Sequence, residues 1–396
     1  VNTGNSVEPY ELKVSVNKVN GVLGIKVPDS DIVRICKNLD FAPELNGDEL
    51  KLMIPAYRTD MFTYQDVAEE IIRMYGYEHI TPTFIPTAEV TSGGYNLNQR
   101  TELKIKNALC AAGASEGVHY SFFSPSDFDI IKLPQDAKER NAIKLINPIN
   151  VDLSLMRTTL VPQMVKAMMR NQKNGILSGR IYEMGNKFIP KSLPLTEYPD
   201  ERETICIGAF GENEDFFSLK GLVEAVAGAL DISFDYEASK CTFLHPYRSA
   251  KILCNGEEIG FLGQLLYEIQ DELDMRVPSF VAEIDLKSLT KYYGKTRQFI
   301  PLPKFAEDKR DLCFVMSKDI TCAMVEKTIK ETCEYVTSVE LFDVYEGIQL
   351  GLDKRSMAFS VLFTPKDEEF KNGFVDSLVE SILAKLKEKY DITLRA

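Results

Sequence analysis

The chain has 396 residues, 44 % of them hydrophobic and 27 % charged, and its 46 Lys plus Arg against 59 Asp plus Glu give a formal net charge of −13. That length and apolar content suit two or three domains with real cores and exclude a disordered or collagen-like chain, and no apolar run approaches the roughly 20 residues that span a bilayer. An acidic chain is not steered to phosphates by its overall field, so any nucleic-acid contact must be a local patch.

In chain order, Leu12, Val14 and Val16 alternate as a short strand. Pro28-Asp29-Ser30 opens a helix with Ile32, Val33, Ile35, Cys36 and Leu39 on one side. Asn46-Gly47, followed by alternating Leu50, Leu52 and Ile54, is a hairpin signal. A helix is predicted over 63–75, stopped by Gly76. Helices plus one hairpin predict a small winged-helix-like module over 1–86, with Thr81-Pro82-Thr83 and Ile85-Pro86-Thr87 as a linker.

Residues 90–297 read as an α+β domain with a mixed sheet. Helices are predicted over 98–112 (ended by Gly113), after Pro162 (carrying Met164, Val165, Met168 and Met169) and over 219–230. Strands are predicted over 180–188, 204–210, 249–254 and 258–262, with Asn255-Gly256 turning the last two into a hairpin. The three methionines suit either a core or an interface, with core the plainer expectation. After Pro301-Leu302-Pro303, residues 303–396 give strand 310–317, helix 321–333, strands 338–345 and 356–363, helix 374–390 and strand 392–394. That βαββαβ order is the ferredoxin-like split unit, which hosts many unrelated functions. The fold class is therefore α+β and multidomain.

Eight cysteines show no zinc-knuckle or thioredoxin spacing and only three histidines are present, so the cysteines read as reduced core residues of a cytoplasmic protein. A chain that starts at Val1 without a basic, apolar leader reads as a fragment of something longer. Catalytic motifs mostly fail. Gly294-Lys295-Thr296 has the tail of a phosphate loop, but Leu289 stands where the first glycine belongs. His245 is the most chemical histidine, although a satisfied structural role explains it more simply.

The best constellation is acidic. Asp66, Glu69 and Glu70 are spaced i, i+3 and i+4 on one helix face, and Asp60 approaches from the preceding loop. Four carboxylates together call for a cation, and all-oxygen ligation suits Mg²⁺. The alternative is an acidic first turn that complements the helix dipole, with Thr63 and Asp66 as a capping pair.

Ile54-Pro55-Ala56-Tyr57-Arg58-Thr59-Asp60 and Asp66-Val67-Ala68-Glu69-Glu70-Ile71-Ile72-Arg73-Met74-Tyr75-Gly76-Tyr77 resemble the beta subunit of bacterial phenylalanine–tRNA ligase. Asn147-Pro148 with Met156-Arg157-Thr158-Thr159-Leu160-Val161-Pro162 is similar to that subunit's synthetase-like module. Arg310-Asp311-Leu312, Leu341-Phe342-Asp343-Val344-Tyr345 and Lys354-Arg355-Ser356-Met357-Ala358-Phe359 resemble its ferredoxin-fold anticodon-binding domain. The resemblance follows the family's order over essentially the whole chain.

It implies that Asp60, Asp66, Glu69 and Glu70 hold a Mg²⁺ shared with the alpha subunit. It implies a class II core without chemistry and without catalytic residues in this chain. Arg180-Ile181-Tyr182-Glu183 falls where a working core grips ATP, and Gly260-Phe261-Leu262-Gly263 is similar to the glycines of the third class II motif. The arginine expected next is replaced by Gln264, Leu265 and Leu266. ATP is then used by the assembled enzyme, an assembly of two alpha and two beta subunits, and is not bound here.

For tRNA(Phe), the resemblance implies that Tyr345 stacks an anticodon base, Ser356 hydrogen-bonds one, and Arg310, Lys354 and Arg355 take phosphates. Otherwise Tyr345 is a core-edge aromatic and the cations are ordinary solvated charge. The family's tRNA-binding and editing regions precede the part matched here, so hydrolysis of mischarged tRNA is not expected of this chain; nor is DNA or membrane binding. The alternatives are a free-standing, noncatalytic RNA-binding or regulatory protein, and an active class II ligase or acyltransferase with displaced ATP residues.

Overall fold

In the computed structural model, which describes residues 4, 8–84, 93–293, 299, 301–351 and 353–395, the chain divides into two compact units, Val1–Tyr95 and Asn96–Ala396. The predicted linker at 85–87 and Gly294-Lys295-Thr296 lie outside the described residues.

The first unit runs β1 (Tyr10–Ser15), α1 (Val16–Leu23), α2 (Asp29–Asn38), β2 (Glu44–Asn46), β3 (Glu49–Ile54) and α3 (Tyr64–Tyr75). The strands form an antiparallel sheet in the order β1-β3-β2, with Leu12 opposite Leu52 and Leu45 opposite Leu50. Gly47, at φ +60°, makes the predicted turn. Leu50, Leu52 and Ile54 alternate into a core with Ile32, Ile35, Val67 and Ile71 from the helices. One helix escaped the sequence reading. Ser15 accepts a hydrogen bond from the Lys18 amide and so caps α1, which makes Val16 the first helical residue and not the end of a strand.

The second unit carries α4 (Leu97–Ala111), β4 (Ser115–Glu116), β5 (Phe122–Phe123), α5 (Asp127–Ile130), β6 (Leu155–Met156), α6 (Val161–Lys173), β7 (Gly179–Ile189) and β8 (Asp200–Phe210). There follow α7 (Phe216–Leu230), β9 (Asp235–Ala238), β10 (Leu244–Cys254), β11 (Glu257–Leu265), α8 (Tyr267–Glu272), β12 (Ser279–Asp285) and α9 (Leu286–Leu289). Seven strands pair in the order β4-β7-β8-β12-β11-β10-β9, antiparallel except for β4 against β7. Both faces are covered. Tyr182, Ile205, Ile207, Leu262 and Ala282 pack with α4 and α7, while Cys206, Phe210, Val281 and Leu265 pack with Met164 and Met168 of α6 on the other side. Asn255 and Gly256, both at positive φ, close the β10–β11 hairpin.

The rest of this unit is β13 (Asp308–Ser317), α10 (Cys322–Thr332), β14 (Val336–Tyr345), β15 (Lys354–Phe363), α11 (Phe374–Tyr390) and β16 (Thr393–Leu394). The sheet order β14-β15-β13-β16 is the ferredoxin-like arrangement predicted from the sequence. Leu312, Phe314, Met316, Met357, Phe359 and Val361 bury one face under Val325, Ile329, Ile382 and Leu386 of the two helices. All eight cysteines are free. Among the described residues no helix is long and apolar enough to cross a membrane.

Candidate functional site

The acidic motif begins where the chain turns into α3. Asp66, in the first turn of that helix, spends one carboxylate oxygen on three donors: the Phe62 amide at 2.8 Å, the Thr63 amide at 2.7 Å and the Thr63 hydroxyl at 2.9 Å. These bonds, led by the Phe62 amide, hold its pKa below the usual carboxylate value. This is the capping geometry. Arg58 forks onto Asp60 with Nε and Nη2 at 2.9 and 2.8 Å and reaches Glu70 with Nη1 at 3.3 Å. The Arg58 hydrogen bonds lower the pKa of Asp60. Glu70 is buried, which opposes its charge, yet hydrogen bonds from Arg73 (2.6 Å) and Arg58 outweigh that and hold its pKa down. Glu69 is exposed.

An all-oxygen set is the chemistry Mg²⁺ takes, but these oxygens do not converge. Asp60 and Glu70 are joined by a guanidinium, Asp66 faces the helix N-terminus, and among the described residues no three such side chains are placed to hold a metal. In this arrangement the four predicted ligands do not fit a resident Mg²⁺.

In the seven-stranded sheet, alternation along β7 sends Arg180 to the α4/α7 side with Tyr182. There Nε meets Glu214 at 2.8 Å and Nη1 meets the Ala112 carbonyl at 3.0 Å. Glu183 points to the other side, where it is buried between His119 Nδ1 (2.6 Å) and Arg157 Nη1 (2.7 Å). That side also holds a cleft of about 900 Å³, lined in part by Thr159, Lys187, Arg202, Phe243, Glu283 and Asp285. Along β7, β8 and β12 its charges answer one another, whereas Lys240 in its loop wall has no ion pair among the described residues. Lys187 pairs with Glu283 at 3.3 Å, and Arg202 pairs with Asp285 at 2.8 Å and Asp200 at 2.6 Å. Glu283 also accepts the Thr159 hydroxyl and the Leu160 amide.

The glycines of the third-motif resemblance serve strand packing. A Cβ on Gly260 would run into the Glu283 carbonyl of β12, and one on Gly263 would come within 2.8 Å of the Arg248 carbonyl of β10. Gln264, where the arginine is missing, is buried and accepts from Arg248 at 2.8 Å. His245 takes a structural part, with Nδ1 accepting the Tyr247 amide and the ring packed edge-on against Tyr267.

The ferredoxin-like sheet divides the five predicted tRNA contacts between its faces. Tyr345 lies opposite Ser356, Ser356 opposite Val315, and Val315 opposite Thr393, so these four form one row on the face away from the helices. Lys354 has the parity of Ser356 and shares that face. Arg310 and Arg355 have the parity of Leu312 and Met357 and belong to the helix side. Arg310 pairs there with Asp308 and, at 3.4 Å, with Asp376 of α11. Arg355 donates to the Ile320 carbonyl at 2.5 Å. The structure thus brings Tyr345, Lys354 and Ser356 together and sets Arg310 and Arg355 apart. Ser356 is itself recessed, sharing a 3.1 Å contact with Cys313 Sγ, whereas Tyr345 is 37 % exposed.

The sequence reading passed over Arg395, whose guanidinium lies 5.0 Å from the Tyr345 ring centroid. Period-two alternation carried one residue past Leu394 is the signal that would have found it.

This array, a cleft bordered by the paired charges of β7, β8 and β12 and a ferredoxin-like sheet that exposes Tyr345 on its helix-free face, fits a synthetase-type chain with an anticodon-binding module. Family models agree: the tRNA synthetase B5 domain matches residues 12–77, the phenylalanyl tRNA synthetase beta chain CLM domain 81–286, and the ferredoxin-fold anticodon binding domain 303–395. The second alone takes in just over half of the sequence, and the chain belongs to the phenylalanyl-tRNA synthetase beta chain family.

It is similar to the phenylalanine–tRNA ligase beta subunit of Clostridium tetani, 33 % identical over 99 % of this chain and 49 % of that protein. The corresponding subunits of Clostridium acetobutylicum and Bacillus subtilis are 31 % and 30 % identical, each over 98 % of this chain and 49 % of theirs. The chain therefore spans about half the length of the curated relatives it matches. A pyrrolysyl-tRNA synthetase from Desulfitobacterium hafniense aligns over 57 % of this chain and 77 % of its own at 13 % identity and a TM-score of 0.41, a likeness too slight to argue from.

Proposed function

We propose that this chain is a noncatalytic part of a phenylalanine–tRNA ligase beta subunit, serving tRNA(Phe) aminoacylation in the cytoplasm. It would do so by joining an alpha subunit in an assembly of two alpha and two beta subunits, and by offering the helix-free face of its ferredoxin-like sheet to the anticodon. The class II chemistry and the ATP belong, on this reading, to the assembled enzyme.

The observation that carries the noncatalytic reading is the internal pairing in the cleft. Triphosphate binding needs free cations, and of the five that line the cleft the two on β7 and β8, Lys187 and Arg202, are each held by carboxylates of β12. Lys251 is paired with Glu258, and only the loop residues Lys138 and Lys240 are left to a weak pair or to none among the described residues. Turning Lys187 or Arg202 toward a ligand would leave Glu283 or Asp285 uncompensated in a buried place, which costs about 3 kcal/mol or more. Arg180, the candidate ATP arginine, is held on the opposite side of the sheet. No step is assigned to Mg²⁺, because the acidic motif as arranged does not fit it. Loop residues Val118, Tyr120, Ile146, Ile149 and Val151 expose apolar side chains that a partner subunit would cover.

Phenylalanine-dependent ATP–pyrophosphate exchange tests this reading. The chain alone is expected to give no exchange above a protein-free blank, and exchange is expected once an alpha subunit is supplied. Exchange by the chain alone would overturn it.

A further inference from the structure

We propose that Arg395 is a tRNA-contacting residue of the ferredoxin-like sheet, supplying the phosphate-binding guanidinium on the face where Tyr345 stacks a base. The inference rests on the anticodon-binding reading above and adds to it a residue and a role.

Three observations place Arg395 there. The Arg395 amide donates to the Cys313 carbonyl at 2.7 Å, extending the pairing of β16 with β13 by one residue beyond Leu394. Alternation then puts its side chain on the side of Cys313 and Ala358, opposite the helices. Those two side chains, with Ser356, are small enough for a long side chain to lie across them toward β14, where the guanidinium sits over the Tyr345 ring. The ring is held from its other end by Gly347, where an added Cβ would come within 2.5 Å of the Tyr345 hydroxyl.

Charge separates Arg395 from the other candidates. Arg310 is matched by Asp308 and Asp376, and Arg355 is tied to a backbone carbonyl on the helix side. Arg395 makes no ion pair among the described residues and is exposed, as is Lys354 at the start of β15. Asp343 lies in the row of Arg395 itself, through Ala358 and Cys313, on the far edge of the sheet, while Asp311 and Glu340 lie one row further along opposite Ser360 and repel a phosphate there. The backbone of a single strand is thereby confined to the end that carries Arg395, Lys354 and Tyr345.

In the free protein the guanidinium covers the aromatic face. An exposed cation–π contact is weaker than a base stacked on tyrosine, so an incoming base takes the ring while Arg395 swings onto a phosphate. One residue thus keeps the ring covered without RNA and adds a charge-assisted contact with it.

The test is the affinity of the full chain for a hairpin RNA carrying the tRNA(Phe) anticodon loop, followed by fluorescence anisotropy across a range of KCl concentrations. Arg395→Gln should weaken binding at least about fivefold and lower the slope of log affinity against log salt by about 0.7, the loss of one phosphate contact. Arg395→Lys should restore the slope, and neither change should move the melting temperature. Binding by Arg395→Gln with wild-type affinity and slope would overturn the proposal and leave the anticodon reading intact. Failure of the unmodified chain to bind the hairpin would overturn both.

Discussion

Arg58 decides how the acidic motif behaves. It neutralises Asp60 and Glu70 from within the chain, and Arg73 shares Glu70. Replacing it (Arg58→Gln) removes a forked ion pair beside a buried carboxylate while leaving Arg73 in place, which should cost about 1–3 kcal/mol in urea unfolding. Because Asp60 would then lack its cation and Glu70 would keep only Arg73, millimolar MgCl₂ should raise the melting temperature of this variant and leave that of the unmodified chain unchanged. A rise in the unmodified chain would show that Mg²⁺ displaces the guanidinium without help. The capping of α3 by Thr63 and Asp66 was legible in the sequence because it depends only on residues three apart. The part of Arg58 was not, since it depends on the path of the loop from β3. At the ferredoxin-like sheet parity separates the five candidates: counting by twos from Leu312 and Met357 already sends Arg310 and Arg355 to the helix side.

At the scale of elements, the β7 strand ties the synthetase-like sheet through Glu183 to the loop after β4 and to Arg157, just beyond β6. His119 and Arg157 hold this carboxylate at 2.6 and 2.7 Å with 3 % of its side chain exposed. Burial raises its pKa and the two partners lower it by more, so it lies below the usual value. A carboxyl whose pKa is lower in the folded state is stabilising above its unfolded value, about 4.3, and that stabilisation is lost as pH falls through the folded value. Glu183→Gln should therefore cost about 3 kcal/mol at pH 7 and progressively less below pH 4.3, with the two stability curves converging in acid. Parallel curves across that range would remove Glu183 as the source.

Long strands and helices were readable where hydrophobic periodicity met a clear stop, as at Gly113 and Asn255-Gly256. The β12 strand was not, because all seven of its residues are buried and its two-residue alternation is hidden. The short β4, β5 and β6 carry too few residues for any period to register.

Over the whole molecule, a net charge of −13 and a local cationic end on one sheet would make the proposed RNA contact confined and dependent on salt. The order of modules and the fold class were legible because each module carries its own pattern of strands, helices and turns. The partition of charge between sheet faces was not, since it depends on which strand ends meet in space. On the proposed function, the chain acts by joining a catalytic partner. Sedimentation of the purified chain with a bacterial phenylalanine–tRNA ligase alpha subunit, at micromolar concentrations, tests this most directly. A single faster-moving species containing both chains in equal number is the predicted result; two species sedimenting as they do alone would contradict the account.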